Sequence, residues 1–460
     1  MELIIKIHIW VLSWDTTVWA VLVTLLGVIV AAVGVRHAIK RKQPEEEVKP
    51  ETSPPPSIPR DDITRIPTPT VKLVGRESYL NQLDDSFNDS GISIVSLIAP
   101  GGVGKSAITD EWLTKIAKAK YNGAEIVFGW SFYSQGSHET STTSTQFYEK
   151  ALPFFGFEGE LPKSDEEKAK KLGELMQSRK CLLVLDGVEP LQHRPEIQHG
   201  WFSDMGIKIL LDDIGRNGLP NNGLVLISSR QKLIELEKYK ERNYREINLE
   251  FLSDQEGAEL LESLGVEKFQ DELTETSIEY GGHALALVLL GKMLKNRFKG
   301  DVRKIEQIPD LFEDEDQGGH ALRVMKFYAD TWDDDKPEHI FLRMLGLFDR
   351  PMGEREKDAL LEKEPFAKPL KDLNEGEWNN MLSHLQNIGL LLETEKKETD
   401  KGLDRKTWDT HPLIRDYFGN LFKEEDEKRW KEAHKVLFEY FQSAPDKEKP
   451  TLQDLEPLYR

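Results

Sequence analysis

Ala99-Pro100-Gly101-Gly102-Val103-Gly104-Lys105-Ser106 follows an apolar run, Ile92 to Ile98, and precedes a helical pattern that opens near Ala107. The order is strand, glycine-rich turn and helix start, the setting in which such a loop cradles phosphate. Its glycines let successive backbone N–H groups turn inward around phosphate oxygens, and the helix N-terminus adds the positive end of its dipole. Lys105 is placed to reach the β- and γ-phosphates, and the Ser106 hydroxyl to ligate Mg²⁺. Ala99 stands where the pattern normally begins with glycine. The stretch predicts a nucleotide site.

Around it the chain alternates apolar runs with amphipathic ones. Strands are expected at Glu125 to Phe132, Cys181 to Asp186, Gly223 to Ile227 and Tyr244 to Leu249, with helices at Ala107 to Lys120, Gln146 to Phe155 and Asp165 to Arg179. Alternation on this scale predicts an α/β domain over 71–250, a parallel sheet covered by helices on both faces. Cys181 to Asp186 is fully apolar until its terminal acid, as in a strand buried on both faces. Asp186 then sits at the carboxyl edge, where it can hold Mg²⁺. Arg230, after Ser228-Ser229, reaches the same edge near the γ-phosphate.

Before this domain lies a different composition. Thr16 to Val35 carries no charge, and at about 1.5 Å per residue it is long enough to span a bilayer core. Trp10, Trp14 and Trp19 cluster at one end and Arg36, Lys40, Arg41 and Lys42 follow the other, which predicts a single-pass anchor over 1–42 with the remainder in the cytoplasm. A cleaved signal peptide would carry its basic residues ahead of the apolar run, where only Lys6 lies. Residues 43–70 are rich in proline and charge and are expected to be a disordered linker. With 61 Lys+Arg against 81 Asp+Glu, the net charge of −20 argues against a nucleic-acid partner. The one cysteine, Cys181, cannot close an internal disulfide, and His193 and His199 do not have metal-ligand spacing.

Beyond Ser253 the periodicity turns helical. Ser253 and Glu256 have capping-box spacing, opening a helix over Asp254 to Leu264. A helical domain is expected over 251–335 and a winged-helix domain over 336–424, its hairpin formed by Leu390 to Glu395 and Thr407 to Thr410. A C-terminal helix and tail occupy 425–460.

The order of these motifs resembles the STAND class of P-loop ATPases, bacterial relatives of the NB-ARC and NACHT switch proteins, over about Val71 to Glu439. By that resemblance Val74-Gly75-Arg76 looks like the entry motif beside adenine and ribose, Ala99 to Ser106 like Walker A, Asp186 like the Walker B aspartate and Arg230 like a sensor arginine. Gly282-His283-Ala284-Leu285 is similar to the motif opening the second helical segment, with Ala284 in place of the usual proline. Thr410-His411-Pro412-Leu413 looks like the winged-helix motif whose histidine meets the β-phosphate of bound ADP. Gly187 follows Asp186 where relatives often carry a second acid, and the usual C-terminal repeat region does not appear before Arg460.

The resemblance implies an ATP/ADP-binding switch with Mg²⁺. Its nucleotide exchange would open the domains and drive homo-oligomerisation in signalling or defence, under a protein trigger the sequence does not identify. Two other readings fit the same residues: a constitutive ATPase with Glu189 as water-orienting base, and a membrane scaffold with a structural nucleotide.

Overall fold

The computed structural model describes residues 59–69, 71–132, 144–193, 199–267, 270–308, 319–348, 351–363, 367–392 and 406–443. Six parallel strands form its sheet: β1 (Arg60–Asp62), β2 (Ile94–Ile98), β3 (Ile126–Ser131), β4 (Cys181–Asp186), β5 (Leu224–Ser229) and β6 (Tyr244–Asn248). They lie in the order β1-β3-β4-β5-β2-β6. Five of them occupy the runs read as strands. Alternate residues face opposite ways: on β4, Cys181, Leu183 and Leu185 enter one core while Leu182 and Val184 enter another. That arrangement is why the run lacks a polar face.

The sixth strand corrects the linker reading over residues 59–69, while residues 43–58 lie outside the described residues. Arg60–Asp62 pairs in parallel with Ile126–Phe128 at the sheet edge, and Ile66 is only 5% exposed, packed over Gly129. Proline and charge dominate the composition there, yet a few residues suffice to cover an edge, so the folded unit starts before residue 71. A helix absent from the sequence reading, Met205–Asn217, packs on Asp165–Met176 beside the sheet; it is capped by Asp204, which accepts from Ile207 N–H.

After β6 come helices Asp254–Ser263, Gln270–Glu279, Ala284–Phe298, Gly319–Thr331 and Pro337–Leu345. The capping box at Ser253 and Glu256 is present as expected. The region then continues through Glu354–Lys363, Glu375–Asn387, Pro412–Glu425 and Glu427–Ser443. One hydrophobic core runs through all of it, from Leu252 to Leu437. Of the expected hairpin, residues 393–395 lie outside the described residues, and the described part adds a partner strand from elsewhere. Met352–Gly353 pairs antiparallel with Thr407–Trp408, and Leu392 contributes a single bridge to Asp409. Trp408 also packs edge-on against Phe341 and Trp378, so core packing selects the pairing.

The segments 16–35 and 444–460 lie outside the described residues. Among the described residues no helix is long and apolar enough to cross a membrane.

Candidate nucleotide site

The sheet's topology assembles the site. β2 lies inside the sheet, between β5 and β6, and the loop 99–104 leaves its carboxyl end and enters helix Lys105–Lys118. Gly104 caps that helix with φ 114° and no side-chain capping bond, and Gly102 has φ 76°. Left-handed φ values of this kind turn the peptide N–H groups into a concave nest.

The loop's carbonyls are all taken. Lys105 Nζ donates to Ala99 O (2.6 Å) and Pro100 O (3.0 Å), and Arg76 donates to Val103 O (3.1 Å) and to Glu250 O (2.8 Å). His283 Nε2 meets Gly101 O at 2.9 Å, Leu285 N–H donates to Gly102 O at 3.0 Å, and Ile108 N–H donates to Gly104 O at 3.0 Å. Among the described residues none accepts from the N–H groups of Gly101, Gly102, Val103 or Gly104. Those donors are what a phosphate chain requires.

Asp186 sits beside them, 1% exposed. It accepts from Ser228 Oγ (2.6 Å), Ser106 Oγ (3.1 Å) and Ser131 Oγ (3.4 Å). Burial raises its carboxyl above the ordinary range, and neighbouring Glu189 adds to the shift. A divalent cation held by Ser106 and Asp186 would counter both effects, so these two residues fit Mg²⁺. Ser131 and Ser228 were not singled out in the sequence; serines at the ends of β3 and β5 were the available signal, and parallel register sets Ser131 directly opposite Asp186.

Glu189 accepts from the Arg230 backbone N–H through one carboxylate oxygen, while the other is buried and has no partner among the described residues. It lies near enough to Lys105 to oppose the lowering of the lysine pKa by burial. The Arg230 guanidinium is close to Gly101, where an added Cβ would stand 3.5 Å from its Cζ and 3.4 Å from Leu413 Cδ1. His411 caps helix Pro412–Glu425, its Nδ1 accepting from Leu413 N–H at 3.2 Å. Burial first, then Arg230, His283 and Lys105, push its pKa down to about 3, so the ring is neutral and close to the loop's cations.

Residues 74–76 lie against the loop as well. Arg76 ties them to it, Gly75 (φ 66°) lies tight against Glu256, and Val74 packs on the core that starts at Leu252. The structure therefore brings together Val74, Gly75, Arg76, residues 101–106, Asp186, Glu189, Arg230 and His411. His283, Leu285 and Leu413 complete the ring around the loop.

No family model matches the chain. A crystal structure of a signal transduction ATPase with numerous domains (STAND) from Pyrococcus horikoshii, carrying a tetratricopeptide repeat sensor, superposes with a TM-score of 0.51 at 15% identity, over 84% of this chain and 47% of that one. The likeness is one of fold. The Aeropyrum pernix ORC1 protein, solved in complex with DNA, gives a TM-score of 0.35 at 18% identity, covering 78% of this chain and 94% of that one. An uncharacterized WD repeat-containing protein of Nostoc is 22% identical over 262 residues, 55% of this chain and 20% of its own length. The chain thus spans about a fifth of that relative and under half of the STAND structure. The described residues have a P-loop NTPase-like α/β fold.

Proposed function

We propose that this chain is an ATP/ADP-binding molecular switch of the STAND type, tethered to the cell membrane by residues 16–35 with its folded part in the cytoplasm. The observation that carries the reading is the convergence on one loop of segments far apart in the chain. His283 and Leu285 bond its carbonyls, Leu413 and Arg230 lie against Gly101, and His411 is close by. Backbone N–H groups of residues 101–104 bind phosphate, Lys105 swings from Ala99 O and Pro100 O to the terminal phosphates, and Val74 to Arg76 border the base. Ser106 and Asp186 would hold Mg²⁺, which would supply positive charge beside the phosphates.

Leu413 and His411 report what fills the loop. Arg230 and Lys105 would face the added charge of a terminal phosphate, and the domain arrangement in which they accommodate it best would gain population by the difference in affinity. Opened copies assemble, and clustering of the membrane segments is the signalling or defence output. The test is assembly size with ADP and with a non-hydrolysable ATP analogue: larger particles with the analogue support the switch, and identical sizes overturn it.

A second reading is favoured by the buried oxygen of Glu189 near Lys105, which has no partner among the described residues and is suited to orient an attacking water. In a constitutive ATPase of this kind, Glu189→Gln abolishes multiple turnovers and His411→Ala keeps them. Turnover lost in both variants would argue against it.

A further inference from the structure

We propose that His283 is a positioning residue for the anion nest: by donating Nε2–H to the Gly101 carbonyl it sets the peptide plane that aims the Gly102 N–H at the bound phosphate. The inference rests on the nucleotide reading above and assigns that site a residue from a distant helix.

The argument starts from peptide geometry. A trans peptide is planar, so the C=O of one residue and the N–H of the next point in opposite directions. Holding Gly101 O on one side therefore turns Gly102 N–H to the other, and Leu285 N–H on Gly102 O does the same for Val103 N–H. Both glycines are loose hinges by themselves. The bonds from outside the loop remove that freedom before a ligand arrives, which lowers the cost of ordering on binding.

The imidazole suits this task in two respects. Its Nδ1 accepts from Ala286 N–H at 3.2 Å, capping helix Ala284–Phe298. The neutral ring then carries its proton on Nε2, and a carbonyl can only accept, so both ring nitrogens are satisfied by one tautomer. Burial keeps the ring in that form: His283 is 2% exposed, and its pKa is pushed down to about 4, with His320 and Lys105 adding to the effect. Phe251 covers it, ring centroids 5.8 Å apart.

Close approach is built into the loop. A Cβ on Gly102 would stand 2.5 Å from His283 Cε1 and 3.0 Å from Leu285 Cβ, so glycine at that position admits the 283–285 segment. The helix and the nest consequently move together: a tilt of Ala284–Phe298 that withdraws Nε2 frees the Gly101–Gly102 peptide.

Two substitutions separate this role from simple helix capping. His283→Ser keeps a capping oxygen but cannot reach Gly101, whereas His283→Gln places an amide N–H near the former Nε2 position. Binding of ATP and of inorganic pyrophosphate is measured by calorimetry on the full chain, together with amide hydrogen exchange of the loop. The expected result is that His283→Ser weakens both ligands about tenfold and speeds exchange at Gly102, while unfolding temperature without ligand stays near wild type. His283→Gln restores affinity to within about threefold of wild type. Wild-type affinity in His283→Ser, or failure of His283→Gln to restore it, overturns the positioning role. A wild-type chain that binds neither ligand overturns the nucleotide reading beneath it. Should His283→Ser not fold, His283→Asn, a comparable cap whose amide stops at the former Nδ1 position, gives the same comparison.

Discussion

Asp186 combines full burial with three serine hydroxyls, and that balance defines its role. The hydroxyls satisfy the carboxylate but bring no positive charge, so its pKa stays raised by burial. A divalent cation is the natural counter-charge. In Asp186→Asn the amide can keep its serine contacts but loses the metal charge. ATP binds the wild type at least about tenfold tighter with Mg²⁺ than with EDTA, and binds Asp186→Asn equally in both. Calorimetry in the two buffers checks this. Asp186 was legible from the sequence because burying a carboxylate at the end of an apolar strand is costly unless its charge is put to use. Its serines were not, since their role depends on register between strands far apart in the chain.

At the scale of elements, two short segments decide more than their lengths suggest. Residues 59–69 read as linker, yet β1 closes a sheet edge and Ile66 fills the space over Gly129. Ile66→Ala therefore lowers stability by about 2–4 kcal/mol, as for a core residue, where a linker position would give nearly nothing. Denaturant unfolding measures the difference. The second segment, 411–413, carries a cap, a helix-starting proline and Leu413 against Gly101. Leu413→Asp removes the apolar contact and speeds release of a fluorescent ADP analogue about tenfold or more, read by stopped flow. Unchanged release would mean that the segment lies near the loop without restraining it.

For the whole molecule, the folded form selects neutral histidines at its junctions. His339 is 2% exposed between Trp332 and Phe418, and burial, with Arg343 adding to it, pushes its pKa down to about 4 while Asp334 acts the other way. Because the neutral ring is favoured in the folded state, its stabilising contribution is complete above the unfolded pKa near 6.5 and is lost as pH falls toward 4. Unfolding temperature should drop over that window, and His339→Leu, keeping the volume without the titration, should drop less. Equal pH profiles for the two proteins would show that other groups govern the acid limb.

Local chemistry wrote much of this architecture into the chain. The apolar runs specified five strands, Ser253 and Glu256 specified a helix start, and the glycines before Lys105 specified a tight turn from strand to helix. Each of these depends on neighbours within a few residues, so periodicity and spacing reveal them. Tertiary structure alone decided which distant groups face that loop: Arg76 on Val103 O, His283 on Gly101 O, Leu413 against Gly101, and Glu189 on the Arg230 amide. Those contacts join residues up to several hundred positions apart, and their geometry follows from strand order and from the packing of a shared helical core. No local preference encodes that geometry. The glycine-rich loop belongs to the sequence, and the ring of side chains around it belongs to the fold.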